Sequence, residues 1–367
     1  MIHGYRVMID DPIRLQAFQK AITVAVCPGD VVLDLGCAMG NFSILACRAG
    51  ARRVYAVEIS PIIEVARQVV RANGCTDRVR FLPGASTSLE VPERANVVLF
   101  EDYPTTLLAP SVARVAADIR ERWLAPGGKL IPARARLWLA AVEDPLGHHE
   151  IDRFAATRDR VCGIDLSVTR HLAFSTWHSR RLGPAALLAP PTLVREVDLA
   201  SIGSPTYRVS ARLTATRSGA LHGLLLWFEL ELGDAWLGTG PLSPSSSWHQ
   251  TVFPLERPLV TEVGETIEVE LEAGELGDDL VWRWRAAAGD RACEGNSLEG
   301  MPMRADVLAR SGTAHVPAVQ PELDRAILAT VDGQRTVGEI AALVADRFPS
   351  LEEAQRKVLT VLRRYEP

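Results

Sequence analysis

The sequence predicts a doubly wound α/β sheet, then a β domain, then a small helical domain, and three observations carry this prediction. Residues 30–60 are a buried strand, a glycine-containing turn, a helix and a second strand in succession. Beyond Pro132 this order gives way to short segments in which apolar and polar residues alternate, as in antiparallel sheets. From Pro321 the apolar residues recur at helical spacing. The predicted domains are 1–132, 133–295 and 316–367.

Length and composition agree with several globular domains. A chain of 367 residues exceeds one core of ordinary size, so two or three domains are expected. With a formal net charge of −5, the chain has no excess of basic residues that would indicate binding to nucleic acid or to an anionic membrane surface. The six cysteines form no Cys-x-x-Cys pair, and no apolar run approaches the roughly 18 residues of a membrane span. The N-terminus also lacks a basic segment followed by an apolar core. Together, these observations predict a cytoplasmic protein with no metal site, no nucleic-acid partner and no membrane partner.

The stretch of residues 30–60 has the layout of a nucleoside site. An apolar strand ends at Asp34, and Gly36 and Gly40 then frame a turn whose missing Cβ atoms let backbone N–H groups approach a ligand. The second strand ends at Glu58, where a carboxylate can accept both hydroxyls of a ribose. Ala38 stands where the dinucleotide fingerprint has its middle glycine, which disfavours a pyrophosphate on this turn.

The elements on either side complete the predicted sheet. Before it, apolar residues recur at helical spacing over 13–26, and Arg14 lies on this helix. After it come a helix at about 61–73, a short strand at 79–82 and a further strand at 96–100. Open α/β sheets bind ligands at the carboxyl edge of their strands. The residues that the last strand delivers to this edge are Glu101, Asp102 and Tyr103.

Two groups of motifs resemble known families. Asp-x-Gly-x-x-x-Gly at residues 34–40 resembles motif I of the class I S-adenosylmethionine-dependent methyltransferases. In the β domain, His222–Gly223, Leu242–Ser243–Pro244 and Trp248–His249–Gln250–Thr251 resemble the β-barrel of the protein arginine methyltransferases. The resemblance implies a Rossmann-like doubly wound sheet followed by a β-barrel domain, with S-adenosyl-L-methionine as cofactor. It also implies a homodimer with a dimerisation arm near 168–192.

The resemblance assigns the cofactor to residues of the α/β domain. Arg14 matches an arginine that pairs with the methionine carboxylate, a task that suits a bidentate guanidinium. Glu58 matches the acid that binds the ribose, and Ala85 and Ser86 match the turn at the adenine edge. The implied cofactor-binding residues are Arg14, Asp34, Gly36, Gly40, Glu58, Ala85 and Ser86.

The acceptor site departs from the family pattern. Arginine methyltransferases hold the guanidinium with two glutamates after the fourth strand; Glu101 matches the first, whereas the second position falls on Pro110. The family's Thr-His-Trp signature is Ser246–Ser247–Trp248 here, which keeps only the tryptophan. We expect Glu101 to be catalytic, orienting and polarising the acceptor nitrogen. The expected substrate-binding residues are Asp102, Tyr103, Glu143 and Trp248, with a purely structural role as the alternative for Glu143.

The segment 316–367 adds a feature that the ordinary family does not need. Thr336 with Glu339, and Ser350 with Glu353, are capping boxes that open two of its helices. The phrase Leu328 to Ile340 resembles winged-helix peptide-recognition modules associated with ribosomally made, modified peptides. The alternative is a helical cap on the barrel.

These observations leave three functional hypotheses. The first is a methyltransferase acting on a guanidino or other nitrogen of a peptide or natural-product precursor. The second is methylation of free arginine or a small guanidine metabolite. The third is a catalytically inactive, cofactor-binding scaffold that recruits a peptide.

Overall fold

The chain forms two compact units, each assembled from several segments. The computed structural model describes residues 2–153, 164–167, 169–244, 246–276, 279–300, 322–332 and 334–364. The first unit contains Met1–Ala141, Ser179–Pro205 and Leu225–Val252. The second contains Val142–His178, Thr206–Leu224 and Phe253–Pro367. Residues 316–321 of the predicted helical domain and Val168 of the expected arm lie outside the described residues.

The secondary structure follows the predicted order of an α/β part, a β-rich part and C-terminal helices, with additional helices at 2–9, 145–152 and 169–174. The helices are α1 (Ile2–Ile9), α2 (Pro12–Ala25), α3 (Asn41–Ala49), α4 (Ile63–Ala72), α5 (Pro110–Asp118), α6 (Pro145–Asp152), α7 (Thr169–Phe174), α8 (Glu322–Leu328), α9 (Val337–Leu343) and α10 (Leu351–Arg364). The strands are β1 (Val31–Leu35), β2 (Arg53–Glu58), β3 (Val79–Pro83), β4 (Ala95–Phe100), β5 (Leu124–Ile131), β6 (Arg134–Val142), β7 (His178–Arg180), β8 (Thr192–Asp198), β9 (Tyr207–Thr214), β10 (Gly219–Leu232), β11 (Ala235–Gly238), β12 (Gln250–Thr261), β13 (Thr266–Leu276), β14 (Asp279–Ala288) and β15 (Arg291–Asn296).

The first sheet is parallel and has the order β3-β2-β1-β4-β5, which confirms the predicted doubly wound domain. Strand β1 lies at its centre, with Asp34 beside Ala56 of β2 and Leu99 of β4. All five residues of β1 are buried, as expected for a strand covered on both faces. Strands β2 and β3 lie on one side of β1, and β4 and β5 lie on the other, so the strand order switches between β1 and β4. The carboxyl ends of these two strands form the crevice in which such sheets bind ligands.

Strand β5 contains an irregularity near its start. The run Ala125–Pro126–Gly127–Gly128 has the composition of a turn, but it lies within β5. The register to β4 shifts between Ala95 and Val97, and Gly127 has a φ of 74°. Strand β5 is at the edge of the sheet, where a bulge can be accommodated because one side of the strand makes no ladder.

The antiparallel β-rich part confirms the predicted change in texture after Pro132. One sheet has the order β7-β12-β10-β6-β8, with β11 pairing to β10. Within the first unit, β6 runs antiparallel to β8 from the Arg134–Asp198 pair to the Leu139–Thr192 pair. Another sheet, with the order β15-β14-β13-β9, belongs to the second unit.

The C-terminal helices form a cap on this second-unit sheet. They share one buried cluster with residues of the β segment, whose members include Val281, Leu298, Ile327, Val337, Ile340, Val358 and Leu362. The Thr336–Glu339 capping box is present in full, and the Ser350 hydroxyl accepts the amide of Glu353. Over 322–332 and 334–364 the structure contains helices and no strand, so the wing of a winged helix is not seen there. Peptide recognition by this segment stays a prediction.

Within the described part of the chain, no helix has both the length and the apolar character needed to cross a bilayer.

Candidate active site

The central feature of the candidate site is an ion pair between α2 and the loop after β4. Arg14 donates from Nε to Glu101 Oε1 at 2.5 Å and from Nη2 to Oε2, so the pair is bidentate. A third donor, Nη1, reaches the carbonyl oxygen of Met8 at 3.0 Å. Burial raises the pKa of Glu101, and Arg14 acts against this by stabilising the carboxylate.

Aromatic rings surround the Arg14 guanidinium. Its Cζ lies 6.0 Å from the ring centroid of Phe18, 5.6 Å from Phe42 and 5.7 Å from Trp248. The Trp248 ring also packs on Phe228, with 5.5 Å between centroids. Trp248, predicted to bind substrate, therefore contacts the cation that holds Glu101. Its role toward a substrate stays a prediction.

Asp11 fixes the start of α2 and was missed as a site residue. Its side chain accepts the Arg14 amide at 3.0 Å and the Ser247 amide at 2.6 Å. Burial opposes ionisation, but these hydrogen bonds outweigh it and lower the pKa of Asp11. The available signal was Asp11–Pro12, since an aspartate before a proline is a strong helix N-terminus. Asp11 thus connects α2 to the Ser246–Trp248 segment.

The glycine turn after β1 is closed by its own hydrogen bonds. The amides of Gly36 and Cys37 donate to the Val57 carbonyl, and the Gly40 amide donates to Cys37. These bonds engage the N–H groups of Gly36 and Gly40 within the protein. Cofactor binding by this turn stays a prediction. The two glycines are needed for φ values of 76° and 81°, which a side chain rarely tolerates.

The turn also comes close to the loop after β4. A Cβ added to Gly36 would lie 3.8 Å from the Cβ of Asp102. Ala38 has a φ of 46°, an unusual value for a residue with a side chain. Its amide donates to Glu58 Oε2 at 3.0 Å, and this bond holds the strained residue in place.

Asp34 holds the first turn of α3. The hydroxyl of Ser43 donates to its carboxylate at 2.6 Å, and the side chain is buried. Burial raises the pKa of Asp34 to about 6, with smaller contributions from the charges of Glu101 and Glu58. The charges of Glu58 and Glu101 thus oppose ionisation of Asp34 at the carboxyl edge of the sheet.

Glu58 and the Ala85–Ser86 turn flank this edge. Each Glu58 oxygen accepts one backbone amide, from Ala38 at 3.0 Å and from Ser60 at 2.8 Å. A carboxylate has about four acceptor positions, so Glu58 keeps acceptor capacity for hydroxyls. Ser86 is buried, and its carbonyl accepts Arg122 Nη2 at 2.5 Å.

The loop after β4 is anchored at both ends. Glu101 is held by Arg14, and the Thr251 hydroxyl donates to the Thr105 hydroxyl at 2.8 Å. Leu107 follows with a φ of 63° and a fully buried side chain. Pro110 is buried as the first residue of α5, so its position supplies no second carboxylate.

Glu143 has a structural task in the second unit. Its carboxylate accepts the Ala220 amide at 2.9 Å and Arg217 Nη1 at 2.6 Å. The hydrogen bond from the Ala220 amide has the largest effect, followed by that from Arg217, and together they lower the pKa of Glu143 although its side chain is partly buried. The contacts favour the structural alternative over the substrate-binding role predicted for this residue.

The first-unit residues fit a cationic nucleoside ligand such as S-adenosylmethionine. Acidic residues lie at or next to the last residue of β1, β2 and β4, and Arg14 pairs with one of them, Glu101. Three of the five N–H groups of Arg14 are engaged, which leaves two for a ligand carboxylate. Glu58 would hold the ribose. The close approach of Gly36 to Asp102 limits the space between the glycine turn and the loop after β4.

Comparisons with known proteins agree with this geometry. The family described as "Arginine methyltransferase oligomerization subdomain" matches residues 133–277, and "Methyltransferase domain" matches 32–128. Protein arginine N-methyltransferase 1 of Schizosaccharomyces pombe is 31% identical over 272 residues, covering 71% of this chain and 78% of the relative. Protein arginine N-methyltransferase 6 of Xenopus laevis is 30% identical over 284 residues, covering 74% and 81%.

Solved structures show the same fold at lower identity. The protein arginine methyltransferase 1 enzyme–prozyme heterotetramer of Trypanosoma brucei, solved with AdoHcy, has a TM-score of 0.70 at 22% identity, covering 80% of this chain and 97% of that one. Protein arginine methyltransferase 10 of Arabidopsis thaliana has a TM-score of 0.68 at 22% identity, covering 81% and 98%. Together with the curated relatives, these matches establish that the chain belongs to the protein arginine methyltransferase family and is an S-adenosylmethionine-dependent methyltransferase.

Proposed function

We propose that the enzyme methylates a guanidino or other nitrogen of a peptide or natural-product precursor. The observation that carries this is Glu101, a buried carboxylate held in a bidentate pair by Arg14 at the carboxyl edge of the first sheet. Asp102 and Asp11 add negative charge near it and contribute to raising its pKa. Such an edge attracts a cationic acceptor and disfavours an anionic one.

Glu101 and its neighbours position the acceptor. S-Adenosylmethionine supplies the methyl group on a sulfonium, whose departure as a neutral thioether needs little acid–base assistance. The protein's contribution is therefore mainly orientation, which can be worth roughly 7–11 kcal/mol. Each Glu101 oxygen retains acceptor capacity beyond its bond to Arg14, so it can take an N–H of the acceptor and polarise the reacting nitrogen.

Replacing Glu101 tests this role. We expect Glu101→Gln to keep cofactor affinity, measured by calorimetry, and to lower turnover by about 10²-fold or more, because a charged group aimed at developing charge is lost. Glu93→Gln is the matched control, since Glu93 is a surface carboxylate paired with Arg52. Wild-type turnover by Glu101→Gln on an accepted substrate would show that Glu101 has no such role.

The peptide part of the proposal has separate support. A groove of about 460 Å³ lies between the first turns of α10 and strands β13 to β15 in the second unit. Acidic and basic side chains line it, among them Glu270, Arg285 and Glu352. Leu351, also in its lining, is 49% exposed. A groove with mixed charge and one exposed apolar side chain suits a peptide better than a small metabolite.

A variant in this groove distinguishes a peptide substrate from the second candidate, a small guanidine substrate. Deleting the C-terminal helices would uncover Val281 and Leu298, so a surface change is the cleaner test. We expect Leu351→Glu to raise KM for a peptide substrate and to leave kinetics with free arginine unchanged. Val263→Glu, at a 65% exposed position of the same unit, is the control. Equal kinetics of both variants with every substrate would favour the small-molecule hypothesis.

The third hypothesis, an inactive scaffold, predicts cofactor binding without substrate-dependent production of S-adenosylhomocysteine. The bidentate Arg14–Glu101 pair and the intact Glu58 position argue against it. Assaying S-adenosylhomocysteine release with arginine-containing peptides and with free arginine decides the point.

We also propose that the protein is a homodimer. The match to an oligomerization subdomain over 133–277 supports this, and α7 and β7 lie in the region of the expected arm. Light scattering after size exclusion tests it, and a monomer at micromolar concentration would contradict it.

A further inference from the structure

Two histidines of the second unit pack ring against ring. His148 lies on α6 and His222 lies on β10, and their ring centroids are 5.2 Å apart. His148 also contacts Phe174 of α7, with 5.0 Å between centroids. The guanidinium of Arg170 lies over the same Phe174 ring, 4.7 Å from Cζ to the centroid. The three rings therefore connect β10 to α6 and α6 to α7.

The hydrogen bonds of the two histidines define where their hydrogens are. Nε2 of His148 lies 3.1 Å from the carbonyl oxygen of Leu255, which can only accept, so Nε2 carries a hydrogen. The Asp144 amide donates to Nδ1 of His222 at 3.3 Å, so Nδ1 carries no hydrogen and the ring is neutral. Asp144 is also the N-cap of α6, because its carboxylate accepts the Gly147 amide at 2.9 Å. His222 is thus bonded to the residue at which α6 begins.

A proton on Nδ1 of His222 removes this bond, because the Asp144 amide would then face a second donor. Partial burial and the neighbouring His148 lower the pKa of His222. A hydrogen bond with the Ala220 backbone and the charges of Glu143 and Asp144 act in the opposite direction without cancelling the effect. A histidine with a lowered pKa takes up its proton more readily once it is released, so a fall in pH favours the released state.

Other contacts of this region do not pass through His222. Arg170 of α7 pairs with Asp152, the last residue of α6, and with Glu256 of β12. These ion pairs hold α7 and the end of α6 when the contact with His222 is lost. The effect of a proton on His222 is therefore confined to the first turn of α6.

We propose that His148 and His222 form a pH-sensitive latch, which holds the first turn of α6 on β10 while His222 is neutral and releases it when His222 is protonated. In chain order α6 precedes the expected dimerisation arm at 168–192. The latch therefore controls how firmly the segment that leads into this region is anchored. It lies apart from the methyl-transfer residues in the chain and does not depend on which acceptor the enzyme uses.

The test is hydrogen exchange of the full chain at pH 7.5 and pH 5.0, with rates corrected for the intrinsic effect of pH on exchange. We expect the Gly147 and His148 amides of the wild type to lose roughly fivefold in protection at pH 5.0, the value of one hydrogen bond. Amides of β13, in the same unit, are the internal reference and should keep their protection. His222→Asn should show no loss, because the asparagine oxygen replaces Nδ1 as acceptor and stays unprotonated in this range.

His149→Asn is the matched control, because His149 is an exposed histidine of the same helix, and this variant should behave like the wild type. An equal loss of protection in His222→Asn and the wild type, or no loss in the wild type, would overturn the inference. If His222→Asn does not fold, an NMR titration of the His222 ring in the wild type decides. A loss of protection with the midpoint of that titration supports the latch, and a loss with a different midpoint contradicts it.

Discussion

The side chains of Arg14 and Glu101 are only 8% and 10% exposed, and each is the other's charge partner. The pair joins the first turn of α2 to the end of β4. It contains the residue expected to bind the cofactor carboxylate and the residue expected to orient the acceptor. We therefore predict that the cofactor and acceptor sites share this ion pair.

Removing Arg14 tests this coupling. We expect Arg14→Ala to lower the free energy of unfolding by about 3 kcal/mol, because it leaves Glu101 buried without its counter-charge. The double variant Arg14→Ala/Glu101→Gln should be more stable than Arg14→Ala, since the buried charge is also removed. Urea denaturation of the two single variants, the double variant and the wild type measures the coupling. A loss below about 0.5 kcal/mol in Arg14→Ala would mean that water screens the pair.

Pro110 tests whether the missing carboxylate limits the reaction. We expect Pro110→Glu to raise kcat/KM for an arginine peptide by about ten- to hundredfold over Pro110→Ala, because a second carboxylate stabilises developing positive charge. A glutamate is compatible with the first turn of α5. Circular dichroism establishes that both variants fold. Equal kcat/KM in two folded variants would mean that one carboxylate suffices for the true substrate.

Asp34 predicts a pH-dependent difference in stability. Burial raises its folded-state pKa to about 6, above an unfolded value near 4, so the folded state holds the extra proton between these values. Its ionisation thus destabilises the fold as pH rises from about 4 to 6. We expect Asp34→Asn to be more stable than the wild type at pH 7.5, by up to about 3 kcal/mol, and nearly equal to it at pH 4. A difference between the two proteins that does not grow with pH would contradict this.

The C-terminal cap predicts that α9 stabilises the second-unit sheet. Ile340 is 1% exposed in the cluster that contains Val281, so we expect Ile340→Ala to cost about 2–5 kcal/mol. Leu343→Ala on the same helix is the control, because Leu343 is 56% exposed. Hydrogen exchange should show faster exchange of β14 amides in Ile340→Ala and not in Leu343→Ala. Unchanged β14 protection in both would show that the helices unfold independently of the sheet.

Much of the fold could be predicted from local patterns. The continuous apolar run at 31–33 predicted β1, and the helical spacing of apolar residues at 13–26 predicted α2. Both predictions succeed because the direction of successive side chains differs between strand and helix, so each buries a different pattern of residues. The bulge in β5 could not be predicted, because Pro126–Gly127–Gly128 also favours a turn. Strand β5 lies at the edge of the sheet, where a bulge can be accommodated. That edge position depends on how all five strands pair.

The candidate site divides in the same way. The sequence by itself determined the methyltransferase core and the residues at its carboxyl edge, since each strand end and glycine turn is a local feature. Only the tertiary structure decided which side chains meet. Arg14 and Glu101 are 87 residues apart in the chain, and Thr105 and Thr251 are 146 apart. Whether a buried polar group such as the Tyr103 hydroxyl finds a partner depends on every segment that packs around it, and no local pattern encodes that.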